Sequence, residues 1–365
     1  MLEEEQKENS QIINKNYFVG LDIGTTKIVC LVGSKNEYGK LKILGYGKAQ
    51  SIGVKRGVVV NIVQTIESIK HAVKIAKEDA NIDIKNVSVG IAGQHIRSLQ
   101  HIDYINREDE EKIIDQEDLN NLEQNVSRLR LEPGEDILHI IPQEYKIDQQ
   151  SNILEPIGMC GSKLEANFHV VSGQTSAIRN IQRCVVDAGL SISSINLEPL
   201  ASSSAVLSQE EKDAGVVLVD IGGGTTDIAI FKDGRIRHTA VIPFGGNIIT
   251  SDIKEGCSII EKQAEQLKIK FGSALPTESN ENEIVSIPGL RGRDPKEISI
   301  KNLSKIIKAR LEEILKDINR EIRIYSDQSE KNKLIGGIVL TGGGSNKFFG
   351  RSNLFSLSIN FIISF

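Results

Sequence analysis

The sequence predicts an α/β chain built from two similar halves that face each other, with a separate α+β segment inserted between them. Two observations carry this reading. The stretches "FVGLDIGTTKIVCLV" (Phe18 to Val32) and "VVLVDIGGGTTDIAIF" (Val216 to Phe231) each read as a β-branched strand, then Asp-Ile-Gly, then Thr-Thr, then a second β-branched strand. The order around them also repeats: a strand hairpin, a third strand and an amphipathic helix follow in both halves. The period is far too long for a solenoid.

Bulk properties narrow the class. A chain of 365 residues exceeds what one core supports, so two or more domains are expected. Hydrophobic content of 39% and charged content of 25% are ordinary for a globular protein. A net charge of −5 gives no electrostatic footprint for nucleic acid, and none is expected as a partner. The four cysteines, Cys30, Cys160, Cys184 and Cys257, lack CxxC spacing, which argues against a structural zinc or a disulfide framework and fits a reducing cytoplasm. The histidines show no HxxxH or HExxH pairing. Residues 1–16, "MLEEEQKENSQIINKN", are polar and read as a loose leader without the apolar run of a signal peptide. No window reaches the roughly 18 to 20 uncharged apolar residues that span a bilayer.

The elements follow in order. "YFVGLDI", "KIVCLVG" and "KLKILGYGKA" are three strands. In "NIVQTIESIKHAVKIAKEDA", Val63, Ile66, Ile69, Val73 and Ala76 fall at helical steps and predict a buried stripe. A short strand, "NVSVGIAG", comes next. The first half is assigned to 17–96 and 170–214, interrupted by the insert at 97–169. The insert opens on the acidic run "NREDEEKIIDQEDLNNLEQ", read as a solvated helix face. The second half, 215–345, repeats the pattern with "GVVLVDI", "TDIAIF" and "RIRHTAVIPF", then a helix through "IIEKQAEQLKIKF". A smaller part at 271–328 holds the turn-rich "GLRGRDPKE" and a long helix with Leu303, Ile307, Leu311, Ile314, Ile318 and Ile322 on one face.

The two repeated turns carry the chemistry. A strand ending in Asp, followed by Gly and Thr, makes a tight hairpin whose backbone N–H groups converge into an anion hollow. The aspartate repels phosphate and instead suits a hydrated Mg²⁺. Asp22, Gly24, Thr25, Thr26 and Lys27 form one such turn; Asp220, Gly222, Gly223, Gly224, Thr225, Thr226 and Asp227 form the other. Facing each other, they would clamp a nucleotide's phosphates, with Asp22 and Asp220 holding Mg²⁺ through water. Glu198, just ahead of Pro199 in "NLEPLASSSAVL", either orients an attacking water or simply caps a helix. Glu265 and Lys268, one turn apart, either reach a ribose or base or pair with each other on a surface. Gly342, Gly343, Gly344 and Ser345, after the strand "GGIVLT", offer backbone for a flat adenosine or a strand-to-helix turn.

With these pieces in this order the chain resembles the actin/Hsp70/sugar-kinase ATPase superfamily, and within it the FtsA family of actin-like bacterial cell-division proteins. Asp22 to Lys27 resembles the first phosphate loop, Asp220 to Asp227 the second, and Leu340 to Ser345 the adenosine motif. The narrower likeness lies in "GVKRGVVVNI", "HIIPQEYKID", "PIGMCGSKLE", "AVIPFGGNIITSDI" (with Gly245 and Gly246) and "AEQLKIKFG". The resemblance implies an actin-like fold of two ribonuclease-H-like domains around a nucleotide cleft, with the insert as the FtsA-type subdomain. It implies ATP and Mg²⁺ as cofactors, self-association into filaments, and docking of the tubulin-like FtsZ on 271–328. The location it implies is the cytoplasmic face of the cell membrane at the division site, and the hydrolysis a weak ATPase acting as an assembly switch.

Beyond Ser345 the likeness gives way to "NKFFGRSNLFSLSINFIISF", where five of the ten phenylalanines lie: Phe348, Phe349, Phe355, Phe361 and Phe365. The alternation there is strand-like, unlike the amphipathic membrane-binding helix with which the family ends. The preferred expectation is a slipped reading frame after Ser345, leaving a product without its anchor helix; a genuine short hydrophobic terminus that pairs with a sheet edge or a partner is the other. A sugar-kinase-like enzyme and an Hsp70-like chaperone ATPase are the alternative functions, but neither accounts for the insert.

Overall fold

The computed structural model describes residues 17–107, 111–276, 283–289, 294–327 and 333–348. The leader, most of the turn in "GLRGRDPKE" and nearly all of the tail therefore lie outside the described residues. The chain divides into two compact units: Met1–His95 with Leu131–Leu138 and Ser172–Ala201, and Ile96–Arg130 with His139–Val171 and Ser202–Phe365.

In the first unit, β1 (Tyr17–Ile23), β2 (Lys27–Lys35) and β3 (Leu41–Gln50) form an antiparallel meander, followed by the small hairpin β4 (Val54–Lys55) and β5 (Val58–Val59). Helix α1 (Ile62–Ala80) starts at Asn61, whose side chain accepts from Gln64 N at 3.1 Å, and ends at Asn81 in the left-handed conformation, φ 53°. Its buried stripe is Thr65, Ser68, Ile69, Ala72, Val73 and Ala76. The predicted stripe thus needs correcting at its start: Val63 is 71% exposed. The cause is the segment just before β4: Thr65 packs on Gly53 and Ser68 Oγ accepts from Ile52 N at 3.3 Å, so these two residues face inward and Val63 faces out. Farther along the helix, Gly45 and Gly47 of β3 face Ala72, Ala76 and Ala80. A methyl at Gly47 would overlap Ala72 O, so the helix turns its small residues inward to approach the backbone closely. β6 (Asn86–Ile91) then lies parallel to β1.

The insert is α+β. β7 (Ile96–Asn106) leads to α2 (Gln116–Ser127), which opens on a capping box between Asp115 and Asp118 and buries Leu119, Leu122 and Val126. β8 (Glu135–Ile147), β9 (Gln150–Ile153) and β10 (Lys163–Gln174) complete a sheet ordered β7-β10-β8-β9. Arg107 fastens the helix to this sheet: it pairs with Asp118 at 3.2 Å and donates to Gly161 O and Ile113 O, each at 2.9 Å. Back in the first unit, α3 (Thr175–Asp187) and β11 (Ser191–Leu197) close a five-stranded sheet, β11-β6-β1-β2-β3, and α4 (Glu198–Val206) follows.

The second half begins with α5 (Gln209–Ala214), then the meander β12 (Val216–Ile221), β13 (Thr226–Lys232) and β14 (Arg235–Ile242). Two helices follow where one was expected: α6 (Gly246–Gly256) and α7 (Glu261–Phe271). The sequence hid α6 because Gly245, Gly246 and Gly256 bound it and β-branched residues fill it. A hairpin of β15 (Ile284–Ile287) and β16 (Lys296–Ser299) leads to the long α8 (Ile300–Ser326). β17 (Gly337–Thr341) pairs parallel to β12, giving β14-β13-β12-β17, and α9 (Gly342–Phe348) follows directly. Leu303, Ile307, Leu311, Ile314 and Ile318 of α8 join Val217, Val219, Ile221, Ile249 and Leu267 in one core, with Ile322 partly buried beside it. The same order, meander then a parallel strand against its first member, stands in both sheets.

Candidate functional site

In the first unit the parallel strands β1, β6 and β11 end at one edge, and the predicted residues collect there. Carboxyl ends of parallel strands are where α/β sheets bind ligands. Asp22 is paired with Val29 across the hairpin, and residues 24–26 form the turn. A methyl at Gly24 would stand 2.9 Å from Lys27 O, so the tight turn requires glycine. Thr25 Oγ1 accepts from Gly57 N at 3.2 Å and Thr26 O accepts from Ser51 N at 3.2 Å, which tie the turn to the β4–β5 hairpin. Thr26 and Lys27 remain exposed. Glu198 continues from β11 two strands away, about 10 Å by ordinary strand spacing. It is the first residue of α4, and its Cγ packs over Gly90, where a methyl would meet it at 3.0 Å. Glu198 thus begins a helix at the edge where β1, β6 and β11 end.

In the second unit the corresponding edge is more elaborate. Asp220 and Asp227 face each other across the hairpin, and Gly222 N donates to Thr225 O at 2.9 Å to close it. The start of α6 braces the turn from behind: Gly246 N donates to Gly222 O at 2.9 Å and Asn247 N to Gly223 O at 2.8 Å. Gly245 makes that approach possible, since a methyl there would be 2.6 Å from Gly222 O. Thr226 Oγ1 donates to Phe244 O at 2.8 Å and Thr225 Oγ1 to Asp227 Oδ2 at 3.0 Å. No backbone carbonyl among the described residues takes the N–H of Gly223 or Gly224. The Gly222, Gly223 and Thr225 carbonyls are all engaged within the fold.

Parallel pairing of β12 with β17 sets Thr341 beside Asp220, so the glycine run begins next to the carboxylate. Gly342 has φ +85°, and a methyl on it would overlap Asp220 Oδ1. Gly344 is packed on Ile221, 2.5 Å from a would-be methyl, whereas Gly343 has open space. Ser345 Oγ donates to Gly342 O at 2.8 Å. The run is therefore a strand-to-helix turn, and its close approach to Asp220 and Ile221 of β12 explains two of its three glycines.

Glu265 and Lys268 are brought together, with the lysine buried and 41% of the glutamate side chain exposed. Lys268 is 8% exposed, and its Nζ lies 2.7 Å from Glu265 Oε2, 2.7 Å from Thr250 Oγ1 and 2.9 Å from Gly246 O. The surface-pair reading is corrected to an internal tie between α7 and the start of α6. Sequence reasoning missed Thr250, Asn247, Gly57 and Ser202, whose Oγ donates to Asp220 Oδ2 at 3.4 Å. Only Gly57, in "KRG", had a local signal, and its φ of +74° bears that out. A cavity of about 420 Å³ between residues 136–138, α3 and β11 contains none of the predicted residues.

The donor set fits a phosphate with its metal. Each turn combines a carboxylate suited to a hydrated cation with a glycine-dictated backbone, since an added methyl at Gly24, Gly245 or Gly342 would collide with Lys27 O, Gly222 O or Asp220 Oδ1.

Comparison with known proteins identifies the family. Residues 217–354 match the family described as "Cell division protein FtsA", and 93–172 match "SHS2 domain inserted in FTSA". The Cell division protein FtsA of Neisseria meningitidis serogroup B is 40% identical over 91% of this chain and 79% of its own length. That of Pseudomonas aeruginosa is 42% identical over 90% of this chain and 77% of its own, and that of Escherichia coli K12 35% over 91% and 80%. The chain belongs to the FtsA family. FtsA proteins are actin-like cell-division proteins, and the kinase and chaperone alternatives are not favoured. The FtsA fold is also seen among solved structures. A PilM–PilN type IV pilus biogenesis complex superposes with TM-score 0.66 at 14% identity, covering 95% of this chain and 86% of that one. MreB5 of Spiroplasma citri bound to ADP gives 0.55 at 15%, covering 96% and 94%. The FtsA-family match continues to residue 354, past Ser345.

Proposed function

We propose that this FtsA-family chain binds ATP with Mg²⁺ and uses the bound state as an assembly switch in cell division. The observation that carries the proposal is the Asp220 turn, whose Gly222 and Gly223 carbonyls are braced by α6 while, among the described residues, no backbone carbonyl takes the Gly223 and Gly224 N–H groups. Solved structures of the same fold include MreB5 bound to ADP and to AMPPNP. In this reading the two aspartate turns, with Gly222, Gly223, Gly224, Thr225 and Thr226 on one and Gly24, Thr25, Thr26 and Lys27 on the other, hold phosphates. Asp22 and Asp220 hold Mg²⁺ through water, and the metal supplies charge neutralisation for the phosphates. Gly342 to Ser345 lie against the adenosine. Lys268 is held internally by Gly246 O and Thr250 Oγ1 as well as by Glu265, so Glu265, with 41% of its side chain exposed, is the member of that pair that reaches the ribose. Glu198 orients the water of a weak hydrolysis.

The proposed partners follow from the family: FtsZ on 271–328, further copies of the chain in actin-like filaments, and the cytoplasmic membrane face at the division site. Among the described residues no helix is long and apolar enough to cross a membrane. Equilibrium dialysis against labelled ATP tests the nucleotide reading. Saturable uptake with Mg²⁺ that weakens in EDTA is expected; a folded sample with no saturable uptake overturns it.

A further inference from the structure

The insert interrupts the first half in sequence, yet its polar contacts fall on β14 of the second. Ser98 Oγ donates to Thr239 O at 3.0 Å, and Gln100 Nε2 donates to Arg237 O at 3.0 Å. Gln100 Nε2 also lies 3.2 Å from His169 Nδ1, and His169 Nε2 lies 3.1 Å from Thr239 Oγ1. An amide donor on Nδ1 fixes the neutral tautomer with the proton on Nε2, so the imidazole donates to Thr239. His169 is 1% exposed, so this contact is shielded from water. At the other end of β14, the Arg235 guanidinium donates to Pro142 O and Gln143 O at 3.0 Å and to Leu154 O at 2.9 Å. Apolar packing tolerates sliding, whereas a set of directional bonds such as this, buried at His169–Thr239 and part-buried at Ser98 and at Arg235 with Pro142 and Gln143, holds one register.

β14 is in turn paired with β13, the strand that leaves the Asp220 turn: Asp227 faces Val241 and Ala229 faces Thr239. On the opposite face of β14, His238 Nε2 lies 3.3 Å from Glu321 Oε2 of α8. One strand therefore touches the candidate phosphate turn's own strand, the insert, and the long helix of the smaller part. We propose that β14 is a coupling strand, through which a ligand held at the Asp220 turn resets the orientation of the insert and of whatever partner surface it presents. The proposal rests on the nucleotide reading for its ligand, but the mechanical link stands on the contacts alone.

Hydrogen exchange followed by mass spectrometry on the full chain tests it, comparing wild type with an Arg235→Met, Thr239→Val double variant, each with and without Mg·ATP. In the ligand-free variant, exchange in β7 and β10 should rise at least tenfold while β12 and β13 keep their protection. Mg·ATP should slow exchange at 222–231 in both proteins, and in β7 and β10 of the wild type only. Unchanged β7 and β10 exchange in the ligand-free variant overturns the link, as does undiminished ATP protection of the insert in the variant. Absence of any ATP effect at 222–231 in the wild type instead counts against nucleotide binding, and the ligand-free comparison still decides the link. Gln100→Leu, which loosens the contact from the insert side, gives the same pattern at smaller amplitude if the double variant does not fold.

Discussion

Gly342 has the tightest constraint of the three consecutive glycines, because a positive φ and the Asp220 carboxylate act on it together. Gly342→Ala should cost about 1–3 kcal/mol of stability from the left-handed backbone alone. It should also abolish stabilisation by Mg·ATP, since the added methyl displaces Asp220. Gly343→Ala is the matched control for stability: a methyl there meets nothing within 4 Å, so stability without nucleotide should stay near wild type. Urea unfolding of both variants with and without nucleotide checks the pair. Thiol reactivity offers a second residue-scale test. Burial pushes the Cys30 thiol up to about 11, and Cys160 is exposed. A maleimide at pH 7.5 should label Cys160 in the native chain and reach Cys30 only after unfolding; rapid labelling of native Cys30 contradicts the first sheet. At this scale the aspartate turns were legible in sequence, because strand-Asp-Ile-Gly-Thr-Thr states both backbone and chemistry locally. Thr250 and Ser202 were not, because their roles come from residues far along the chain.

The helix-on-sheet contact of α1 and β3 shows what one element asks of another. Gly47 lies under Ala72 and Ala76, so Gly47→Ala should lift α1 from β3 and cost more than the roughly 1 kcal/mol typical of point substitutions. A lowered Tm with a retained ATP response is the expected result, read by circular dichroism. Ile314 on α8 is 1% exposed in the second core, and Ile314→Ala should cost about 2–5 kcal/mol. A loss under 1 kcal/mol in urea melts contradicts the burial of that face. Periodicity placed α8 correctly because six apolar residues recur over a long run. It misplaced the first turn of α1, where the inward-facing Thr65 and Ser68 are polar and carry no hydrophobic signal. It missed α6, whose glycines read as breakers although Gly245 serves as the point of contact with the Asp220 turn.

Acid sensitivity belongs to the whole molecule. His95 and His169 are buried, and desolvation lowers both imidazoles to about 4 from an ordinary 6.5. Below 6.5 the unfolded chain takes up protons that the folded chain refuses, so stability should hold above that pH and fall as pH drops toward 4. Urea midpoints at pH 7.5 and pH 5 should show the loss, and His95→Leu should flatten it; an equal slope in that variant contradicts the assignment. The two-half architecture was readable from the repeated hairpins, and the insert from its change of composition. That the insert bonds to β14 was not readable, since Ser98, Gln100 and Thr239 are unremarkable polar residues until the fold brings them together.

The central claim is that the Asp22 and Asp220 turns bind Mg·ATP, and a thermal-shift titration of wild type beside an Asp22→Ala, Asp220→Ala double variant tests it most directly. At about a hundred times its dissociation constant, ligand should stabilise the wild type by roughly 2.7 kcal/mol and leave the folded variant unmoved. A folded wild type that does not shift, or a variant that shifts equally, contradicts it.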